Sequence, residues 1–274
     1  MKYQTIRRDS FRRGGGNTKI SNISLIKSVE EYVNYIRYLR RAWKTSTLWF
    51  RGVSQSKYHL VPTVYRSREL RGCGPALALE FTRQAKGLSR PEGESFSRWE
   101  WYYVMQHHGL PTRLLDWTEG SFIGLYFAIR HIISVKWPSV WVLDPCWLNK
   151  EATGDDKIYH SDPLSPKAHL DTIAPYLEEK PRAGSLPVAI RPPCVSPRIR
   201  AQQGCFTVHG EVRDGFTIVF RRSVSPRIVQ LRFDHRVVRR LHEDLQSTGV
   251  SESLLFPDLD GLARHLTWKY DPSM

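Results

Sequence analysis

Residues 122–133 read FIGLYFAIRHII, and this run restricts the fold more than any other part of the sequence. A helix with this sequence is apolar on nearly every face, so it has to be buried. It is too short to span a bilayer, which needs about 20 apolar residues. Nine Trp, twelve Tyr and eleven Phe supply ample material for the core that this helix requires. Thr118 or Ser121 is predicted to cap it.

Further helices are predicted from apolar side chains at helical spacing and from capping signals. Ser28 with Glu31 and Ser97 with Glu100 have the spacing of capping boxes, and Gly109 is placed to end the second of these helices. Beside the buried helix, we predict helices at residues 28–43, 76–86, 97–109, 237–246 and 258–268.

Short β-type runs bounded by Gly, Pro and Ser predict strands at residues 47–53, 139–145, 186–190, 205–210, 216–220 and 228–233. Residues 150–185 are predicted to be loop with one short helix. Because strands and helices do not alternate regularly, the order indicates an α+β fold with mixed or antiparallel sheets flanked by helices. We expect a flexible basic arm at residues 1–20 and a single domain over residues 21–274.

The net charge is +14, and Arg far outnumbers Lys, which favours encounter with polyanions such as nucleic acid. A basic surface that only aids solubility is the alternative. The four cysteines are scattered without a CxxC pair, so we expect no metal site and no disulfide framework. With no secretory signal and no membrane span in the sequence, we expect a cytoplasmic protein.

The run WFRG places a charged side chain, Arg51, within an otherwise apolar strand. A buried guanidinium needs a partner or a ligand. Arg51 either pairs with a carboxylate such as Asp116 or holds a phosphate or a ribose hydroxyl. Gly52 lets another group approach the backbone closely.

The run LLDWTEGS precedes the buried helix, whose N-terminus is suited to an anion. Asp116, Trp117, Thr118 and Ser121 either cap this helix or line a site in which the indole stacks on a planar ring. The cluster also contains Arg113 as a further candidate.

Two more pairs of polar residues are candidates for chemistry. His107 and His108 end a helix and are acid–base candidates or structural residues. Gln202 and Gln203 precede a strand, where the amide is solvated, bonds to backbone or accepts from a sugar hydroxyl.

Taken together, these segments resemble the FRG domain family over about residues 28–268. The likeness rests on Phe50-Arg51-Gly52, QHHGLPTRLLDWT (106–118) with LYFA (125–128), VWVLDP (140–145), RIRAQQGCFTVHG (198–210) and LFPDLDGLA (255–263).

The order of these motifs is similar to that of ADP-ribosyltransferases, which implies a split sheet and NAD as substrate. By this resemblance Arg51 neutralises the pyrophosphate, Trp117 stacks on the nicotinamide, and Gln202 or Gln203 holds the ribose 2′-hydroxyl. Thr118, with Asp116 and Trp117 before it, matches the segment that shapes the nicotinamide pocket. A glutamine carries no negative charge, so Asp116 supplies that charge, the enzyme is slow, or the acceptor brings its own base.

The resemblance implies an ADP-ribosyltransferase that acts as a toxin or defence effector on RNA or DNA, with an antitoxin or defence partner of unknown identity. Two alternatives stay open. One is a non-catalytic nucleic-acid-binding module, and the other is a metal-independent nuclease that uses His107 or His108 with Asp116.

Overall fold

The structure is a computed structural model, and it describes a large part of the chain. The described residues are 25–70, 72–85, 96–130, 137–162, 165, 169–178, 185–194 and 196–271. The basic arm predicted at residues 1–20 lies outside them.

The described strands form one seven-stranded sheet in the order β4-β5-β6-β2-β1-β3-β7. Strands β4 and β5 are parallel, and every other neighbouring pair is antiparallel. The strands are β1 Trp49–Val53, β2 Leu114–Thr118, β3 Ser139–Leu143, β4 Tyr159–His160, β5 Val188–Arg191, β6 Gly204–Val208 and β7 Ile228–Arg232.

Helices flank this sheet, so the α+β prediction with a mixed sheet is confirmed. They are α1 Val29–Trp43, α2 Gly74–Ala85, α3 Arg98–His107, α4 Ser121–Ile129, α5 Pro145–Thr153, α6 Leu170–Ile173, α7 Pro197–Ala201, α8 Gly215–Arg222, α9 Val238–Ser247, α10 Glu252–Leu255 and α11 Leu259–Tyr270. Among the described residues, no helix combines the length and the apolar character that a membrane crossing requires.

The predicted start of α1 and the predicted start and stop of α3 are confirmed, but the capping box predicted at Ser28 is only half formed, because the Glu31 carboxylate accepts from the Lys27 N–H. The Ser28 hydroxyl accepts from the backbone N–H of Glu31, and Ser97 and Glu100 form a complete capping box. Gly109 has a φ of 80°, a left-handed conformation that glycine adopts without steric strain. These signals act between near neighbours in sequence, so they are readable without knowledge of the tertiary structure.

The strand predicted at residues 216–220 is wrong, because this segment lies within helix α8. Phe216, Val219 and Phe220 are the buried residues of the segment, at the i, i+3, i+4 spacing of one helix face. A short apolar run fits either period, and here the tertiary packing selects the helix.

Strand β2 is not among the predicted strands, because its sequence LLDWT directly precedes the buried helix. It is nevertheless a central strand, paired with β6 over five residues and with β1 at one. Asp116, its middle residue, is exposed, and this polar position disguised the strand.

Two apolar layers lie on opposite faces of the central strands. Phe50 packs on one face with α1, α4 and α9, and Trp49 packs on the other with α5 and α8. This alternation follows from the period of two in a strand. A third cluster joins α3 to strands β2, β5 and β6. The buried helix predicted at the start is α4, which lies on the first of these layers.

The sheet opens between β1 and β2, which pair only at Phe50 and Thr118 although both strands are fully described. The neighbouring pairs β1–β3 and β2–β6 each run over five residues. Residues 51–53 and 114–117 therefore diverge. On the β1 side of this opening, α4 approaches so closely that a Cβ at Gly52 would overlap the carbonyl oxygen of Gly124. A Cβ at Gly124 would lie 2.6 Å from the Cβ of Phe50.

We predict that Gly52→Ala lowers the free energy of unfolding by at least about 3 kcal/mol, because the new methyl meets backbone atoms of α4 that cannot move aside. Urea denaturation measures the change. Gly74→Ala is the matched control, since its Cβ would meet only the Val64 side chain at 4.0 Å. Equal stability of the two variants would contradict the close approach of α4 to β1.

Candidate functional site

The three segments singled out in the sequence meet on three neighbouring strands. Phe50 of β1 pairs with Thr118 of β2, which in turn pairs with Gly204 of β6. The Thr118 hydroxyl donates to the Gln202 carbonyl at 2.7 Å, and the Glu119 N–H donates to the Gln203 carbonyl at 3.1 Å. Residues far apart in sequence therefore converge at the opening of the sheet.

Arg51 crosses the opening of the sheet. Its Nη1 donates to the backbone carbonyl of Asp116 at 2.7 Å and lies 3.5 Å from the Asp116 carboxylate. Only 17% of the Arg51 side chain is exposed, against 57% for Asp116. Burial lowers the pKa of the guanidinium, and the neighbouring Asp116 offsets part of this effect. The pairing predicted as one alternative for Arg51 is thus present, and the carboxylate end of the pair faces solvent.

Gln106 orients the Asp116 carboxylate, and it is not among the residues predicted from the sequence. Its Nε2 lies 3.0 and 3.1 Å from the two carboxylate oxygens, and its Oε1 accepts from the Thr112 hydroxyl at 2.5 Å. Gln106 begins the QHHG run, so the signal that could have found it is its place in the same block as Asp116.

The two glutamines differ in what their side chains do. Gln202 donates from Nε2 to the Leu255 carbonyl at 3.0 Å, which ties the end of α7 to the end of α10. Gln203 is exposed and has a φ of 46°, a left-handed conformation that is uncommon outside glycine. Its Oε1 lies 3.1 Å from where a Cβ on Gly120 would stand, at the start of α4. Gln203 is therefore exposed beside the start of α4, whereas Gln202 is held by the bond from its Nε2 to Leu255.

Three expected roles in the β2–α4 segment need correction. Trp117 is buried, 3% exposed, and its Nε1 donates to the Thr207 hydroxyl, so its faces contact the core and not a ligand. Ser121 is the first residue of α4 and not its cap. Gly120 precedes the helix without a side-chain cap, and the Thr118 hydroxyl accepts from the Gly120 N–H.

Of the remaining candidates, Arg113 is buried, and its Nη1 donates to the carbonyls of Tyr176 and Glu178. This is a structural role. His107 and His108 lie at the end of α3, with ring centroids 4.9 Å apart. Burial, and the positive charge of Arg198, lower the pKa of His107.

A second feature that the sequence analysis missed is the wall beside the glutamines. The guanidinium of Arg198 lies 4.6 Å from the Phe256 ring centroid, and those of Arg130 and Arg264 each lie 5.2 Å from it. Burial lowers the pKa of Arg198, and Arg264 is paired with Glu252 at 2.6 Å. A cationic edge thus adjoins the loop that carries Gln203.

Behind the site lies a buried polar chain. Trp117 donates to Thr207, whose Oγ1 lies 3.2 Å from Nε2 of His209. The His209 ring is fully buried, and its Nδ1 has no hydrogen-bond partner among the described residues. Burial, followed by the positive charge of Arg51, lowers the pKa of His209 to about 3. The imidazole is therefore neutral in the folded protein at ordinary pH.

Neither a metal site nor an apolar groove is found at the candidate site among the described residues. In the part of the chain that the structure describes, no group of three or more His, Cys, Asp or Glu side chains is placed to hold a metal ion. An apolar groove lies beside α2, lined by Leu77, Glu80, Phe81, Gln84, Ala85 and Leu110. None of the candidate site residues lines it.

Fold and site together define an α+β protein with a polar site at an opening in its sheet. The family model of the FRG domain matches residues 46–136, and this chain carries an FRG domain there. The match contains β1, β2 and α4, with Arg51 and Asp116, and it does not reach Gln202 or Gln203. No curated protein and no solved structure gives a significant match to the chain.

We predict that acid destabilises the protein through His209. In the unfolded chain a histidine has a pKa of about 6.5, so between that pH and about 3 the unfolded state binds more protons than the folded state. Stability is therefore retained above the unfolded pKa and falls as the pH drops below it. From pH 7.5 to pH 5 we expect a loss of about 2 kcal/mol in the free energy of unfolding from this group.

Urea denaturation at the two pH values measures this loss. His209→Gln keeps an amide that can bond to Thr207 but removes the titrating ring. Between the two pH values, this variant should therefore lose about 2 kcal/mol less of its free energy of unfolding than the wild type does. His59→Gln alters an exposed histidine and is the control, expected to behave as the wild type. An unchanged pH dependence in His209→Gln would contradict the prediction.

Proposed function

We propose that the protein transfers an ADP-ribosyl group from NAD to an acceptor. The observation that carries the proposal is the row Phe50–Thr118–Gly204, which brings Arg51, the DWT run and Gln203 to one opening in the sheet. The motif order that resembles ADP-ribosyltransferases requires this convergence. The limited pairing of β1 with β2 is also in keeping with a split sheet.

The reaction breaks the bond between C1′ of the ribose and the nicotinamide nitrogen, and the bonding electrons leave with nicotinamide. An acceptor nucleophile forms the new bond to C1′ and loses a proton. Positive charge develops on the ribose as the first bond breaks, so an oriented sugar and an electron-rich oxygen nearby would stabilise the transition state.

In this proposal Arg51 binds the pyrophosphate of NAD. Its buried guanidinium is a fork of donors that suits phosphate oxygens, and Asp116 now occupies part of it. Asp116 supplies the negative charge near the ribose. Gln106 fixes the orientation of that carboxylate, so the charge is positioned before substrate binds.

Gln203 is the residue that we assign to the ribose hydroxyl. The amide of Gln202 is already bonded to Leu255, whereas Gln203 is exposed beside the start of α4. The indole of Trp117 has no part in binding, since it is buried. The planar group of the nicotinamide would therefore contact other side chains.

Nucleic acid is the acceptor class that we propose, because the net charge of +14 attracts phosphate backbones without regard to sequence. A role as a toxin or defence effector, and an antitoxin partner, stay predictions. The nuclease alternative loses its main support, because the carboxylate of Asp116 is bonded to Gln106 and lies beside Arg51, not beside His107 or His108, in the described hydrogen bonds.

We predict that Arg51→Lys lowers the rate of ADP-ribosyl transfer by about 100-fold, since an ammonium cannot present two aligned donors to a pyrophosphate. Transfer is measured with labelled NAD and RNA or DNA, alongside release of nicotinamide. Arg227→Lys is the control, because Arg227 forms an ion pair with buried Asp144 and none of the site contacts includes it. Its transfer rate should equal that of the wild type. Wild-type protein that neither transfers the label nor hydrolyses NAD with any acceptor would exclude the proposal.

We predict that Gln203→Glu raises NAD hydrolysis by about tenfold or more, because a carboxylate beside the ribose stabilises the developing positive charge better than an amide does. Gln202→Glu is the matched comparison. It should not raise hydrolysis, since it replaces the donor to Leu255 with an acceptor. A larger increase in Gln202→Glu than in Gln203→Glu would reassign the ribose contact.

The Asp116→Asn variant distinguishes an ADP-ribosyltransferase from a non-catalytic nucleic-acid-binding module. We expect this variant to bind RNA or DNA at least as tightly as the wild type, because it removes a negative charge, but to lose most of the ADP-ribosyl transfer. The affinity for RNA or DNA over a range of salt concentrations and the rate of ADP-ribosyl transfer are measured for both proteins. Binding without transfer in both proteins would leave only the binding module.

A further inference from the structure

We propose that Arg198 binds a phosphodiester group of a nucleic-acid acceptor, at a subsite that adjoins the candidate site. This inference deepens the proposed function, and it rests on that function for the role of the bound strand as acceptor. The subsite belongs to a wall formed by Arg130, Arg198 and Arg264, which we call the arginine wall.

The arginine wall gathers three positive charges around one ring. The guanidinium carbons of Arg198, Arg130 and Arg264 lie 4.6, 5.2 and 5.2 Å from the ring centroid of Phe256. These arginines belong to α7, to the residue after α4 and to α11, so tertiary packing brings them together. Like charges this close repel one another, and the buried Phe256 ring offsets only part of the repulsion through cation–π contacts. The wall therefore favours a bound anion.

Three carboxylates near the arginine wall already have partners. Glu252 forms an ion pair with Arg264 at 2.6 Å. Asp258 caps α11, and its carboxylate accepts from the Gly261 backbone N–H at 2.6 Å. Asp116 belongs to the ion pair of the candidate site. Each of these negative charges is therefore committed to another group.

Arg198 is the member of the wall that we assign to the ligand. Within the described part of the chain it forms no ion pair, and its side chain donates no hydrogen bond. The side chain is partly buried. Burial lowers the pKa of its guanidinium, and the charges of Asp116 and Asp258 only partly offset this effect. An anion bound here would supply the partner that a partly desolvated cation requires.

Short connections hold Arg198 beside the candidate site. Its carbonyl accepts from the backbone N–H of Gln202 at 2.9 Å, and the side chain of Gln202 is in turn fixed to the Leu255 carbonyl. The charge of Asp116 raises the pKa of Arg198, so the two groups are near enough to interact. A phosphate on Arg198 would therefore place a bound strand next to the carboxylate that we assign to the ribose of NAD.

A phosphodiester fits both the shape and the charge of this subsite. A guanidinium presents a fork of donors that matches two phosphate oxygens. The single negative charge of a phosphodiester balances one guanidinium, whereas a dianionic phosphomonoester would be repelled more strongly by Asp116 and Asp258. Every linkage of a nucleic-acid strand carries such a group, and the net charge of +14 attracts strands of any sequence. We therefore identify the ligand as the backbone of RNA or DNA.

Fluorescence anisotropy of the full chain with a labelled single-stranded DNA oligonucleotide tests the contact. We expect Arg198→Gln to raise the Kd about tenfold, because a charge-assisted hydrogen bond to phosphate is lost. The dependence of log Kd on log salt concentration should become shallower by about 0.7, the amount for one phosphate contact on a single strand. Arg200→Gln is the matched control, since it removes the same charge from an exposed position of the same helix. Its Kd should stay within about twofold of the wild type, and its salt dependence should not change.

Arg198→Lys separates the charge of the side chain from its shape. It keeps the positive charge, so the salt dependence should equal that of the wild type, but the Kd should rise about threefold because an ammonium lacks the fork of donors. A methylphosphonate oligonucleotide has no backbone charges, so the wild type and Arg198→Gln should bind it equally. Circular dichroism checks that each variant is folded.

Two results would overturn the proposal, namely a wild-type protein that does not bind the oligonucleotide and an Arg198→Gln variant with the Kd and salt dependence of Arg200→Gln. The binding assay contains no NAD, so its outcome does not depend on whether the protein transfers ADP-ribose. In the transfer assay, Arg198→Gln should raise the KM for DNA and leave the KM for NAD unchanged. A rise in the KM for NAD alone would assign Arg198 to a phosphate of NAD and contradict the acceptor subsite.

Discussion

The approach of α4 to β1 is the contact on which the other features of the site depend. Gly52 and Gly124 let the backbone of the helix lie against the backbone of the strand, with no side chain between them. This contact accompanies the early end of pairing between β1 and β2. A sheet that closed fully here would bond its backbone groups to each other and leave the guanidinium of Arg51 without the Asp116 carbonyl. The glycines and the charge are thus parts of one arrangement.

The electrostatics of the site follow from how unequally its groups are exposed. Arg51 is largely buried and Asp116 half-exposed, so the cation is fixed by the protein while the anion meets solvent. The same cation lowers the proton affinity of buried His209. A protonated His209 ring beside Arg51 would be poorly solvated and repelled by the guanidinium, and the neutral imidazole avoids this. Burial is the larger cause of the neutral state of His209, and the charge of Arg51 adds to it.

Local signals predicted much of the fold. Capping residues and apolar spacing located α1, α3 and α9, because those interactions connect residues within one or two turns. Strand β2 escaped prediction since its middle residue is charged, and residues 216–220 were assigned to a strand because a short apolar run does not distinguish the two periods. Contacts with residues far apart in sequence decide both cases, through strand pairing for β2 and through core packing for α8.

The family resemblance predicted part of the candidate site. It indicated Arg51, Asp116 and the glutamine pair, which the structure brings to one opening. It could not indicate that Gln202 is bonded and Gln203 exposed, because the Leu255 carbonyl that accepts from Gln202 belongs to a helix distant in sequence. Gln106 and Arg198 escaped notice for the same reason. Trp117 looked like a ligand platform only because its burial cannot be read from its neighbours.

The left-handed backbone of Gln203 has one more consequence. The backbone N–H of Gln202 donates to the Arg198 carbonyl, and that of Gln203 donates to the Arg200 carbonyl. This turn therefore sets the number of residues between α7 and β6. Deleting or inserting one residue there would shift the register of β6 by one. Cys205 and Thr207 would then exchange faces with Phe206 and Val208. The loop therefore tolerates a change of side chain far more readily than a change of length, and a hinge or linker engineered at this point would disrupt the centre of the sheet.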